Sequence, residues 1–245
     1  MKHFYQIHHS LSGGAFESIR DQNVNSIRSE LDIIFQHLDA ETIMVRSQAD
    51  FEQYKTHFPN MRFYDKPLHR VRISPPGWLP GELGLMMSNY NALTYFIDLS
   101  ESENDLCLLL ESDVWIDLES GIFSKTLNSW VSGLPSDFDY FNLYIPAPHR
   151  NLYVPTNSSE ADPSIVKNYA ISHTPAILWS KKGAYKFIES CHDKIELPLD
   201  SHIFENERFI GYAFTPSAHQ KVSIWSEFDE KSIIGASEIR IDIGS

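Results

Sequence analysis

Residues 106–117 read LCLLLESDVWID: a run of leucines ends in Glu111, Ser112 and Asp113, and apolar sequence resumes at Val114. Burying a bare carboxylate is costly unless something pairs with it. One reading makes the two acids solvated loop residues, with Asp113 in an Asx-type turn. The other makes them ligands of a divalent cation, which takes hard oxygen donors and bridges protein carboxylates to substrate phosphates. Glu111 and Asp113 are two residues apart, so on a regular strand they share a face. The carboxyl ends of strands are also where open α/β sheets bind ligands. The acidic pattern alone leaves both readings open.

Other residues offer chemistry more weakly. The chain has eleven histidines, among them His8, His9, His173, His202 and His219, and no HExxH-type metal spacing. His219 draws attention because it lies in a late loop after TPSA. Asp200 is placed either to cap a short helix or to act as a general base. The GELG segment (81–84) lacks the remaining glycines and the lysine of a phosphate loop. It reads as a tight turn and a helix start, with Glu82 at the positive end of the helix dipole. Ser88 and Asn89 interrupt an otherwise apolar helix face, so they either face solvent or line a site.

These residues must be positioned by regular elements. HFYQI (3–7) reads as a strand, and a helix follows from Glu17 with Ile27, Leu31, Ile34, Phe35 and Leu38 on one face. ETIMVR (41–46) reads as a second strand, ADFEQYKTHF as a helix stopping at Pro59, and MRFYD (61–65) as a third strand. This strand–helix alternation predicts a parallel sheet with crossover helices. A helix rich in Leu83, Met86, Met87, Tyr90, Leu93 and Ile97 precedes the leucine strand. That strand shows no polar alternation before Glu111, which predicts a central position covered on both faces. DYFNLYI (139–145) and PAILWS (175–180) read as strands, the latter leading into a helix N-capped by Ser180. Residues 146–164 form a long polar loop expected on the acceptor side of any site. LPLDSHIF starts a short helix with Asp200 as its cap, and the tail carries short strand-like pieces.

At 245 residues the chain can build one large α/β domain or two small ones. Its 42% hydrophobic and 13% aromatic content marks a globular protein. A formal charge of −13 argues against nucleic acid and anionic membrane surfaces, which call for basic patches. The two cysteines, Cys107 and Cys191, suggest neither a disulfide framework nor a metal cluster. The start lacks a long apolar run of the signal-peptide kind, and no apolar run is long enough to span a bilayer. A cytoplasmic protein without an integral membrane segment is the expectation.

Several segments, taken in order, resemble the family 25 glycosyltransferases, the lipooligosaccharide- and collagen-type sugar transferases. Gly81, Glu82, Gly84, Ser88 and Leu93 match the family's Gly-Glu-x-Gly-x-x-x-Ser-His-x-x-x-Leu pattern. Leu110, Glu111 and Asp113 match its Leu-Glu-Asp-Asp. TPAILWSKKGAYKFIE, LPLDSHIF and AHQKVSIWSEF are similar to three later segments, the last through Gln220 and Ser226. The likeness runs from about 80 to about 230. It departs from the family at IHHSLSGGAF after the first strand, at Asn89 in place of His, and at Ser112 in place of the middle acid.

The resemblance implies a GT-A-like single domain with a mainly parallel central sheet flanked by helices. About 1–117 would form the nucleotide-sugar half and about 118–245 the acceptor half. It implies metal-assisted, inverting transfer of a hexose such as galactose from a UDP-linked donor to a hydroxyl of a glycan or other acceptor, as in lipopolysaccharide biosynthesis. Donor contacts would come from Gln6, His8, Glu82, Ser88, Asn89, Glu111 and Gln220. Glu111, Asp113 and His219 would bind Mn2+ or Mg2+, and Asp200 would be the base. The alternatives are a GT-A-like binding module that lost turnover, for which Ser112, Asn89 and the first loop speak, and a hydrolase of nucleotide sugars.

Overall fold

The computed structural model describes residues 2–9, 17–69, 77–116, 131–144, 165–167, 174–214 and 224–226. In chain order the elements are β1 (His3–His8), α1 (Glu17–Leu31), β2 (Gln36–His37), α2 (Gln48–His57), α3 (Pro80–Leu99), β3 (Leu106–Glu111), β4 (Val114–Ile116), β5 (Tyr140–Asn142), β6 (Ile165–Lys167), β7 (Ala176–Ser180), α4 (Lys181–Asp193), α5 (Leu199–Phe204), β8 (Gly211–Phe214) and β9 (Ile224–Ser226). A seven-stranded sheet runs β2-β1-β3-β7-β5-β8-β6, and β4 pairs with β9 in a two-stranded sheet. The strands β2, β1, β3, β5 and β8 run one way, while β7 and β6 oppose them. The sheet is thus mixed and mainly parallel, and it takes strands from both ends of the chain.

The side-chain alternation of β3 sorts its residues between two cores. Cys107 and Leu109 join Phe4, Trp179 and the apolar faces of α3, α4 and α5 on one face of the sheet. Leu106, Leu108 and Leu110 join Tyr5, Ile7 and the Val24, Ile27 and Leu31 stripe of α1 on the other. A strand interior to the sheet and covered on both sides has no polar face to show, which is why the leucine run is unbroken.

Two expected strands are corrected. Residues 41–46 run without a strand ladder. Ile43 and Val45 are buried against α3, but the Ile43 N–H donates to the Ser88 hydroxyl at 2.8 Å, and the Glu41 carbonyl accepts from Asn91 at 3.0 Å. Burial of alternate residues imitated a strand, while helix side chains took the hydrogen bonds. Residues 61–65 make only a bridge, Phe63 to Ile195, beside the end of α4. The helical face expected to run on to Leu38 stops at Leu31, and Phe35 and Leu38 are buried from positions on either side of β2.

The short helices obey local chemistry. Ser180 caps α4 as expected, its hydroxyl accepting from the Gly183 N–H at 3.0 Å. Gly183 is required there, since a Cβ would stand 2.0 Å from the Asp139 carbonyl oxygen. Asp200 is not the cap of α5: Pro198 holds that place, and the Asp200 carboxylate accepts from the Ser201 N–H at 2.8 Å within the first turn. Among the described residues no helix is long and apolar enough to cross a membrane. The 146–164 loop lies outside the described residues.

Candidate active site

Glu111 is the last residue of β3, at the carboxyl end of an interior strand. The backbone holds this end on both sides. The Ser112 N–H donates to the His8 carbonyl at 2.8 Å and the Glu111 N–H to the Pro175 carbonyl at 2.8 Å. The chain then turns through Ser112 and Asp113, each 5% exposed, and enters β4. Asn23 of α1 pins β4 by donating its amide to the Val114 carbonyl at 2.5 Å. β9 lies antiparallel on β4 with Ser226 opposite Val114, so the late segment of the chain meets the residues that follow Asp113.

His8 is the register partner of Glu111 on the adjacent parallel strand. By strand alternation His8, Gln6 and Glu111 lie on the same face as Phe4 and Leu109, the side of α3. His8 is 3% exposed, and its two ring nitrogens meet no hydrogen-bond partner among the described residues. Burial, with the charge of His9 adding to it, pushes its pKa down to about 3, so the ring is neutral. Gln6 donates to the Ala40 carbonyl at 2.9 Å.

The electrostatics centre on Glu111. Burial first, and then the charge of Asp113, push its carboxyl up to about 8; the hydroxyl of Thr174 opposes the shift, and Asp200 adds a further upward push. Asp200 therefore stands near enough for its charge to be felt at Glu111, although the two are far apart in sequence. Helix α5 carries it there, anchored by buried Leu199 and Ile203 and by a His202–Ser190 hydrogen bond of 2.9 Å to α4. Ser190 and His202 look like a nucleophile and base, but both are buried, and the Ser190 hydroxyl donates to the Phe187 carbonyl at 2.7 Å. This pair serves packing.

The motif 81–93 has a structural role in plain view. The Glu82 carboxylate accepts from the Leu79 N–H at 3.0 Å, which is one half of a capping box, since the Leu79 side chain has no acceptor to return the bond. Gly84 lets the helix approach the chain at Ile43, where a Cβ would stand 2.8 Å from the carbonyl oxygen. The Ser88 hydroxyl donates to the Gly84 carbonyl at 2.7 Å while accepting from Ile43. Asn89 donates to the Leu85 carbonyl at 3.0 Å. Gly84, Ser88 and Asn91 thus lie along one stripe of α3 that holds the 41–45 segment.

The structure brings Glu111, Asp113, Asp200 and His8 to one end of the sheet. His219 and Gln220 lie outside the described residues. Among the described residues no group of three His, Cys, Asp or Glu side chains is close enough to hold a metal ion by itself. Two carboxylates with hard oxygens still suit a Mg2+- or Mn2+-type cation, which is commonly held by one or two carboxylates together with substrate phosphates. The raised pKa of Glu111 fits this: the acids crowd one another where a cation would relieve them. Thr174 and Asn23 escaped sequence reasoning, because their partners are set by strand pairing and helix docking across more than sixty residues.

No family model matches the chain, and no curated protein sequence does. Among solved structures, the chain is similar to a glycosyltransferase involved in the glycosylation of the major capsid of PBCV-1, at 11% identity and a TM-score of 0.42, covering 92% of this chain and 93% of that one.

Proposed function

We propose that the chain is a glycosyltransferase that binds a nucleotide-diphosphate sugar, UDP-linked, at the carboxyl end of β3 and transfers the sugar to an acceptor hydroxyl. The observation that carries this is the gathering of Glu111, Asp113 and Asp200 about the end of one buried strand, where burial first, and then the charges of Asp113 and Asp200, raise the Glu111 pKa to about 8. Such an arrangement is unfavourable for stability and suits a function that supplies countercharge. The ordered motifs from Gly81 to Ser226 support the same reading.

In this account Asp113 and Glu111 would hold a divalent cation, and when bound it would supply countercharge for the negative charge that grows on the departing phosphate oxygen. The acceptor oxygen attacks the anomeric carbon, the bond from that carbon to the phosphate oxygen breaks, and its electron pair leaves with the diphosphate. Asp200 accepts the acceptor's proton. Its position at the start of α5, with one oxygen held by the Ser201 N–H, fixes its orientation. The neutral His8 ring is suited to hydrogen-bond an uncharged part of the donor. Glu82, Ser88 and Asn89, engaged within and beside α3, act on the donor site by holding its wall.

The test is release of UDP from nucleotide sugars with Mn2+, with and without a panel of glycan acceptors. Acceptor-dependent release supports the proposal. Acceptor-independent release points to a hydrolase, and binding without release points to a non-catalytic module.

A further inference from the structure

Thr174 was not among the residues singled out by the sequence, yet it makes a side-chain hydrogen bond to a member of the acid group. Its hydroxyl donates to Glu111 Oε1 at 3.0 Å. Thr174 is 9% exposed and lies two residues before Ala176, the first residue of β7, which is the antiparallel neighbour of β3. Three features hold the hydroxyl in place. Pro175 confines the backbone of the residue before it to an extended conformation. The branched Cβ leaves few rotamers for the side chain. The hydrogen bond from Glu111 N–H to the Pro175 carbonyl, 2.8 Å, locks the two strand ends in register beside it.

When Glu111 is ionised, as a bound cation requires, a hydroxyl donating to it makes a charge-assisted bond, more directional than the surrounding repulsion. It engages Oε1 of Glu111. The bond anchors one oxygen and so restricts how the carboxyl group can turn. Groups that orient metal-binding carboxylates from behind commonly set affinity as strongly as the ligands' own geometry.

We propose that Thr174 is a positioning residue, its hydroxyl holding the Glu111 carboxylate in the orientation that meets a divalent cation and the diphosphate of a nucleotide. The inference rests on the proposed donor site at Glu111 and Asp113. Thr174→Val keeps the shape and removes the donor; Thr174→Ser keeps the donor and removes a methyl group.

The experiment measures UDP binding by calorimetry with and without Mn2+, and Mn2+ binding by electron paramagnetic resonance, in wild type and both variants, alongside thermal unfolding without ligand. Thr174→Val is expected to weaken Mn2+-dependent UDP binding by about 10-fold or more, with Thr174→Ser close to wild type. A purely structural threonine would instead lower the melting temperature and leave ligand affinity in the folded fraction unchanged. Wild-type affinity in Thr174→Val, or equal loss in Thr174→Ser, overturns the positioning role while leaving the donor site standing. If Thr174→Val fails to fold, Thr174→Ala takes its place in the same comparison with Thr174→Ser. Absence of Mn2+-dependent UDP binding in wild type overturns the donor site itself, and the positioning role with it.

Discussion

Glu111 is the residue at which stability and function pull apart. An ordinary glutamate titrates near 4.5, whereas burial and the neighbouring Asp113 and Asp200 charges raise Glu111 to about 8. Between these values the unfolded chain has lost the proton and the folded chain still holds it. Raising pH across this window therefore destabilises the fold, and the contribution is fully lost above about 8. Glu111→Gln removes the titration, so it should raise the melting temperature at pH 9 and leave it nearly unchanged at pH 5. In a chain of this size each ~1 kcal/mol recovered corresponds to about 2–4 °C. Equal effects at both pH values would show that Glu111 keeps an ordinary pKa. In the proposed mechanism Asp200 acts in a different way, as the base. Asp200→Asn keeps an acceptor for the Ser201 N–H and loses the base, so transfer should fall by ~10²-fold or more while UDP affinity holds. Single-turnover kinetics beside calorimetry separates the two effects, and a parallel loss of binding would assign Asp200 to the donor site.

Helix α3 shows how one element can carry a functional-looking motif for a packing reason. Gly84 and Ser88 lie where the helix meets the backbone of Ile43. Alanine at position 84 would gain about 1 kcal/mol of helix propensity, but its Cβ would meet the Ile43 carbonyl at 2.8 Å. Neither backbone can yield without stretching the Ser88–Ile43 bond, so net destabilisation of ~1–3 kcal/mol is expected. Ser88→Ala should cost a similar ~1–3 kcal/mol by leaving a buried N–H unpaired. Chemical denaturation measures both, and a Gly84→Ala variant more stable than wild type would refute the close approach. Local rules made much of the fold readable: the α4 cap at Ser180, the leucine strand and the helix periods follow from neighbours in sequence. Residues 41–46 misled because burial against α3 alternates like a strand, and only the partner of the Ile43 N–H tells the two apart. The acids at 111 and 113 were legible as a candidate site, but Thr174 and Asn23 were not, since nothing local says which strand end or helix will meet them.

On the scale of the whole molecule, the main sheet mixes strands from both ends of the chain, and its β3 end collects groups from α5, β1 and β7. The β4–β9 pairing adds the late segment. With a net charge of −13, the chain as a whole repels a nucleotide diphosphate, so binding must depend on a countercharge located at the site. The most direct measurement is a calorimetric titration of UDP into wild type and Asp113→Ala, each with and without Mn2+, beside their melting temperatures. The account predicts binding in wild type only when Mn2+ is present, none in Asp113→Ala, and a variant that remains folded, with Glu111 relieved of one neighbouring acid. UDP binding that ignores Mn2+, binding that survives in Asp113→Ala, or an Asp113→Ala chain that unfolds would contradict it.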